Sequence, residues 1–424
     1  MVLQIGNVAS TLIQGIAGIL VARLLQPELF GIYSLAFGIA GVASVFLGFV
    51  SQESVSAILG RAYSTKDRGV MAAAMAFVSK TITVSGIAAV ASMAILPFLS
   101  MRLYHNSMLG MYAGIFTVAL FFSNSFFAVA RVALQLAGNI ATMTWLIVGD
   151  QLIRSGLSIL FVLLGFGVAG AVSGHLVGGF ILAILSFFVL YQLRLKTPGF
   201  FAPLFRIRDW IPARHAEGRG YFNFTAWVTL DRNISVLYSM LPLAMTGLFV
   251  APREVGFFRL AFSYINLVLS LLAPISMLLN VEFARMSVDG KTNLRRNFVR
   301  VSLYSMALSA LLTAGAIGIA PIFFRILYGQ NFLPSVPYVA GLFLYGLFFG
   351  LGIGLGSLWR ALDRVKTSII INVVTLGIGV PLGFWLIRTY GSWGSVIMVT
   401  AWYAASHITS FLYLRWHLRF IESR

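Results

Sequence analysis

The stretch LLQPELFGIYSLAF, residues 24–37, returns much later in the chain as FVAPREVGFFRLAF, residues 249–262. At a constant offset Pro27 meets Pro252, Gly31 meets Gly256, the Leu-Ala-Phe of 35–37 meets that of 260–262, and Tyr33 meets the aromatic Phe258. Each copy separates two long apolar runs. Pro, a charged residue and Gly between such runs predict a tight turn, and the aromatic that follows suits the membrane interface, where ring side chains anchor helices. The stretch is therefore read as a helical hairpin, written once in each half of the chain.

The rest of the sequence supplies the membrane. Of 424 residues, 59% are hydrophobic and only 10% charged, with mean hydropathy +0.92. A soluble chain of this size cannot cover its surface with so few charges. The apolar residues come in runs of about 20, the length a helix needs to cross the hydrocarbon layer. Twelve spans are predicted, roughly 5–25, 32–51, 70–98, 109–130, 143–164, 170–192, 223–249, 256–280, 301–324, 336–358, 367–387 and 394–414. The first run has no basic leader and no small-residue cleavage signal, so the first helix is expected to be kept.

The net charge of +18 raises the question of a nucleic-acid partner. Distribution answers it. The even-numbered loops and the C-terminal tail hold 21 of the 30 Lys and Arg, whereas the odd loops and their helix ends hold six. By the positive-inside rule both termini are expected to be cytoplasmic, and the basic balance records orientation, with no nucleic-acid partner. Cysteine is absent and the five histidines lack ligand spacing, so no metal site is expected.

The longest connection, 193–222, is rich in Pro, Gly, Arg, Phe and Trp and suits a segment lying on the inner leaflet. It divides the spans six and six: 1–192 as an N-terminal lobe, 193–222 as a cytoplasmic linker, 223–424 as a C-terminal lobe. Six is even, so the halves would run parallel, related by an axis along the membrane normal. Further matches support duplication: Pro97 with Leu103-Tyr104 recurs as Pro321 with Leu327-Tyr328, and Ala133-Leu134 recurs as Ala361-Leu362.

ARLLQPELFGIYSLAF, and TLDRNISVLYSMLPLAMTGLFVAPREVGFFRLAFSYI in the second half, resemble the polysaccharide or O-antigen flippase family of the multidrug/oligosaccharidyl-lipid/polysaccharide exporter superfamily. The P-E-x-x-G-x-Y hairpin and the Asp early in the seventh span carry the resemblance. The second hairpin departs from it, with Arg253-Glu254 and Phe258. The resemblance implies an all-α, two-lobe bundle of the MATE type, in a V around a central cavity. It also implies alternating access in a multi-pass protein of the cytoplasmic (inner) membrane. The substrate would be a polyprenyl-diphosphate-linked oligosaccharide: an O-antigen, capsule or exopolysaccharide unit. Implied partners are that lipid-linked substrate, membrane lipid and polysaccharide assembly proteins, with the chain acting as a monomer.

Five charges stand out inside spans, away from the outer helix ends: Lys80, Asp150, Arg154, Asp231 and Arg232. A charge at the bilayer centre costs about 2.5–3.5 kcal/mol on insertion scales, so such residues face a cavity or a partner. All five fall in the predicted inner half, about 10–17 Å from the cytoplasmic helix ends at the helical rise per residue. A flippase takes up its diphosphate there, and Arg suits bidentate phosphate contact. Other readings stand beside this one. Asp150 and Arg154, spaced i,i+4, can neutralise one another, and Lys80 can snorkel to the interface. Asp231 and Arg232 point about 100° apart and cannot satisfy each other. At the repeat offset Asp231 and Arg232 fall on Gly6 and Asn7, and Asp150 and Arg154 fall near Ile378 and Leu382, all uncharged. Arg23 and Arg259, near outer helix ends, are read either as interface anchors or as outer contacts for the diphosphate.

Several signals are set aside. GFGVAG at 165–170 fits a dinucleotide pattern but joins two apolar helices and is read as a short flexible turn. GLGIGLG at 350–356 and Gly377-Ile378-Gly379 are read as sites of close packing or bending. Pro97, Pro274, Pro321 and Pro381 are read as kinks or helix ends. No Walker motif occurs, so no ATP site is expected. Two rival functions stay open: a cation-coupled multidrug antiporter of the same superfamily, and a membrane polysaccharide polymerase or ligase, against which the short outer loops argue.

Overall fold

The computed structural model describes residues 2–47, 52–196, 215–289 and 294–422. Almost all of them are helical, and no strand occurs among them. The helices are α1 (Val2–Leu47), α2 (Gln52–Ser64), α3 (Arg68–Tyr104), α4 (Ser107–Leu136), α5 (Ile140–Phe161), α6 (Gly167–Lys196), α7 (His215–Thr246), α8 (Pro252–Leu269), α9 (Ala273–Asp289), α10 (Leu294–Leu327), α11 (Val336–Gly341), α12 (Phe343–Gly352), α13 (Leu355–Ala361), α14 (Val365–Tyr390) and α15 (Ser392–Glu422).

Among the described residues nine helical stretches are long and apolar enough to cross a membrane. The difference from the twelve predicted spans has a structural origin. Leu3–Ser64 and Ile140–Lys196 each count as one stretch, although each contains a reversal. Residues of the 7–11 segment share a cavity with Gln52 and Glu53, so the chain between them has folded back. In α5 and α6, Gly170, Gly174 and Gly178 lie against Phe161, Ser158 and Arg154 in turn, an antiparallel pairing. The charged α7 is not among the nine.

The duplicated hairpin differs from its reading in one respect: the turn precedes the proline. In the first copy Gln26 alone leaves helical geometry, at φ 61° and ψ 167°, with its side chain donating to the Arg23 carbonyl at 2.7 Å. In the second, Ala251 is extended and Pro252 opens α8. Proline suits the first helical turn, because its missing N–H has no intrahelical partner to lose. The aromatics also differ from the interfacial reading. Tyr33 meets Phe116 edge-on at 5.3 Å and shares a 3.0 Å hydrogen bond with His175 Nε2, and Phe258 is fully buried. Two residues beyond Gly31 and Gly256, these rings fall on the inward face of the outgoing helix.

The repeat extends into the other turns. Among the described residues three positive-φ turns of the first half, at His105, Gly138 and Gly165–Gly167, recur at nearly the same offset as Gly329, Asp363 and Gly391, while Lys66, between α2 and α3, is a further positive-φ turn of the first half. Pro97 and Pro321 lie inside α3 and α10, whose last residues are Tyr104 and Leu327. Pro381 is likewise inside α14, while Pro274 follows the short turn that separates α8 from α9. The GLGIGLG run both packs and breaks. Added Cβ atoms at Gly350 and Gly352 would meet Ser309 at 2.4 Å and His407 at 2.3 Å, and the helix is interrupted between α12 and α13. At Gly379 a Cβ would meet the Trp402 ring at 2.4 Å, whereas Gly377 faces open space.

By contacts the chain forms two compact units, Met1–Ala244 and Met245–Arg424. The division falls one helix later than the six-and-six boundary, because α7 belongs with the first unit. Asn233 ties it there through a 2.8 Å hydrogen bond to the Val45 carbonyl, and Gly38 and Gly41 let α1 approach Leu243 and Met240. Of the predicted linker, 197–214 lies outside the described residues. The core of the first unit gathers Ile58 and Leu59 of α2, Met71 and Val78 of α3, Val129 and Leu134 of α4, Ile147 of α5 and Leu182 of α6. Its outer surface is apolar too: Ile5, Val8, Leu12, Ile16 and Leu20 form an exposed stripe at helical spacing along α1. A large apolar exterior around polar interior groups marks a protein dissolved in lipid.

Candidate functional site

The site begins with how closely α5 can approach α6. Glycines at 170, 174 and 178 recur every four residues and form a stripe on α6 against which α5 lies backbone to backbone. A Cβ at Gly178 would come within 2.8 Å of both Cα and Cγ of Arg154. This contact fixes where Arg154 leaves its helix. One turn before it, Asp150 accepts a hydrogen bond from Arg154 and forms an ion pair with it. Asp150 is only 5% exposed, yet its second oxygen, Oδ1, is buried without a hydrogen-bond partner, as is Nε of Arg154.

Two further cations complete the arrangement. Arg131, on α4, lays its guanidinium over the Phe127 ring at 5.5 Å, and its Nε is also buried without a partner. It interacts electrostatically with Asp150 and with Glu53, in the first turn of α2. Arg232, on α7, approaches Asn124 Oδ1 at 3.4 Å. Its neighbour Asn233 holds the helix to α1, so Arg232 is presented from a fixed support.

These residues line one cavity of about 470 Å³ within the first unit, a volume in the range of small-molecule sites. The wall is polar for a membrane interior: Asn7, Ser10 and Thr11 from α1, Gln52 and Glu53 from α2, Asn124 and Arg131 from α4, Asp150, Gln151 and Arg154 from α5, and Arg232 from α7. Three guanidinium groups therefore face two carboxylates. A side pocket of about 40 Å³, sharing Leu120, Asn124 and Arg232 with the cavity, runs among the hydroxyls of Ser44, Ser85 and Thr117. Such a site can hold a small polyanion and its water while offering little to an extended apolar molecule.

The structure thus brings together Asp150, Arg154 and Arg232 of the five span charges. Lys80 is exposed on α3 and Asp231 exposed on α7, and neither lines the cavity. Arg23 is exposed at the end of the first arm of α1, and Arg259 is half-buried on α8 in the other unit. Arg131 and Glu53 are the residues that sequence reasoning missed. Arg131 falls just outside the predicted fourth span, 109–130, whereas α4 continues to Leu136. The i,i+4 pair Phe127-Arg131 was the available signal. Among the described residues no cluster of His, Cys, Asp and Glu could hold a metal ion.

An all-helical, multi-span membrane protein with a cationic cavity inside its first helical unit belongs to a recognisable class, and the solved structures place its fold. The inward-facing structure of a multidrug resistance MATE family transporter of the MOP superfamily matches with TM-score 0.73 and 17% identity, over 99% of this chain and 96% of that one. The lipid II flippase MurJ, in its inward closed conformation, matches with TM-score 0.72 and 16% identity, over 98% and 87%. The chain belongs to the polysaccharide biosynthesis protein family, whose sequence profile matches residues 20–337. Among curated proteins it is similar to the teichuronic acid biosynthesis protein TuaB of Bacillus subtilis (strain 168), 24% identical over 245 residues, which make up 56% of this chain. The match spans about half the length of that relative, 49%.

Proposed function

We propose that this protein is a transporter, not an enzyme, and that it flips a polyprenyl-diphosphate-linked oligosaccharide from the inner to the outer leaflet by alternating access. The observation that carries the reading is the set of three arginines, Arg131, Arg154 and Arg232, converging on one polar cavity inside an otherwise apolar first unit. Cations in a membrane interior cost free energy and persist where an anion is handled. A diphosphate between a sugar and a lipid is such an anion, and its sugar and lipid can extend to either side of a small charged site.

The positive-inside distribution supports cytoplasmic termini in an inner membrane, and in that orientation the cavity would lie toward the leaflet where such a substrate is loaded. Family membership supports a place in polysaccharide assembly. The fold shared with the MATE transporter and with MurJ supports a cycle in which the two halves alternate. Lipid-linked substrate, membrane lipid and assembly proteins are the partners of this reading, and a nucleotide held by the chain is not part of it.

The test is depletion of the protein in its host, followed by mass spectrometry of lipid-linked oligosaccharides and a leaflet-accessibility assay on the same cells. One defined species is expected to accumulate facing the cytoplasm. Unchanged lipid-linked species together with altered drug or cation sensitivity would overturn the proposal in favour of an antiporter.

A further inference from the structure

Asp150 is badly satisfied for a buried carboxylate. It is 5% exposed and lines the cavity, yet one oxygen carries the bond to Arg154 and the other has no partner. Arg154 in turn uses one terminal nitrogen and leaves its buried Nε unpartnered. A pair built only to hold the fold would engage both arms of the guanidinium with both carboxylate oxygens, the geometry that repays desolvation. This pair is joined by one arm, and the unsatisfied atoms on both sides belong to residues that line the cavity.

A second cation stands ready. Arg131 interacts electrostatically with the same carboxylate, from α4, and its own Nε is unpartnered. If Arg154 turned to an entering anion, Asp150 would not be left uncompensated. The charge count points the same way. Arg131, Arg154 and Arg232 against Glu53 and Asp150 leave one positive charge in excess, whereas without Asp150 there would be two, a match for a dianionic diphosphate. A site that must also let go cannot hold its cargo at full complementarity.

We propose that Asp150 is the built-in counter-ion of the anion site: it occupies Arg154 while no anion is bound, yields it to the entering diphosphate, and reclaims it to promote release. Asp150 thereby sets the affinity of the site by competing with the cargo for Arg154. The inference rests on the proposed function above, in which this cavity receives a diphosphate.

The experiment uses the purified full chain in detergent micelles and isothermal titration with farnesyl diphosphate at fixed ionic strength. Asp150→Asn keeps shape and removes the charge, so it is expected to bind about tenfold or more tighter than wild type, the scale of one lost charge-assisted competitor. In an Arg154→Gln background the same substitution is expected to gain about threefold or less, because the contested cation is gone. Arg232→Gln is expected to bind more weakly than wild type. Wild-type binding with no tightening in Asp150→Asn, or an equal gain in both backgrounds, overturns the counter-ion role and leaves the anion site standing. Absence of binding to wild type, Asp150→Asn and the double variant alike overturns the anion-site reading itself.

A second measurement covers the event that Asp150→Asn alone does not fold. Sulfate stays divalent and arginine charged between about pH 7.5 and about pH 4, while carboxyl groups of ordinary pKa protonate to about half. Asp150 is bonded to Arg154 on its own helix and interacts with Arg131 on α4; Glu53 on α2 and Arg232 on α7 line the same cavity, and His175 on α6 interacts electrostatically with Arg154. Sulfate affinity is expected to rise about threefold or more on acidification in wild type and in Glu53→Gln, and to stay flat in Asp150→Asn/Arg154→Gln. A rise of equal size in that double variant, or none in wild type, overturns the proposal.

Discussion

Substituting alanine at Gly178 tests whether the glycine stripe of α6 sets the position of Arg154. A Cβ there would lie 2.8 Å from both Cα and Cγ of Arg154 and 3.1 Å from its backbone nitrogen. Ordinary contact begins near 3.4 Å, so the overlap is about 0.6 Å at two carbons, one of them backbone that no rotamer change can remove. The helices must part, at an overpacking cost of about 1–3 kcal/mol. That is about 5- to 150-fold in the folding equilibrium at about 1.4 kcal/mol per tenfold. Gly156, on α5, is the control. Nothing lies within 4 Å of its added Cβ, so alanine there is expected to be neutral or to stabilise by up to about 1 kcal/mol. At Gly174 the contacts are tighter, 2.4 Å to Cα and N of Ser158, so its alanine variant is expected to be the least stable of the three. Melting in detergent, followed by fluorescence-detected size exclusion, gives the order Gly174→Ala below Gly178→Ala below Gly156→Ala. Export measured on the same variants separates position from stability. Gly178→Ala is expected to lose export even where it is fully folded, because a shift near 1 Å at a binding group can cost about 100-fold. A Gly178→Ala protein that melts with Gly156→Ala and exports normally would refute the reasoning.

Arg131→Gln is expected to lower export at least about tenfold, from loss of a charge-assisted contact of about 1.5–3 kcal/mol, whereas Arg61→Gln, exposed on α2, is expected to leave it unchanged; lipid-linked oligosaccharide levels in a complemented depletion strain read both. In the second unit Glu254 accepts from Tyr338 at 2.7 Å and from Ser392 at 3.5 Å, joining α8, α11 and α15. Glu254→Ala is expected to cost about 1–3 kcal/mol of stability through stranded partners, and Tyr338→Phe less. Their double variant is expected to be less destabilised than the sum of the singles, while farnesyl diphosphate binding to the folded protein is unchanged.

What the sequence disclosed follows from which signals are local. The hairpins were legible because proline and glycine leave marks that do not depend on tertiary partners, and such marks recur near Pro97 and Pro321 and, as Gly138, at the end of α4. The Asp150-Arg154 pair was legible as one of two readings, because i,i+4 spacing on one helix allows it, and the structure has it. Arg131 was not, because hydropathy ends a span where the apolar run ends, whereas a helix ends where its hydrogen bonds do, at Leu136. The inward turn of Tyr33 was also hidden, since it depends on His175 and Phe116, residues far away in sequence. Between these extremes lies Arg232. The repeat aligns it with Asn7, and both line the same cavity, Asn7 from α1 and Arg232 from α7. The duplication thus supplied two equivalent cavity-facing positions, and only one of them bears a cation. An asymmetric charge at symmetric positions has no use in a shared scaffold, where both copies meet the same packing demands; it does have one in a site that must bind a single polar head group in a single orientation.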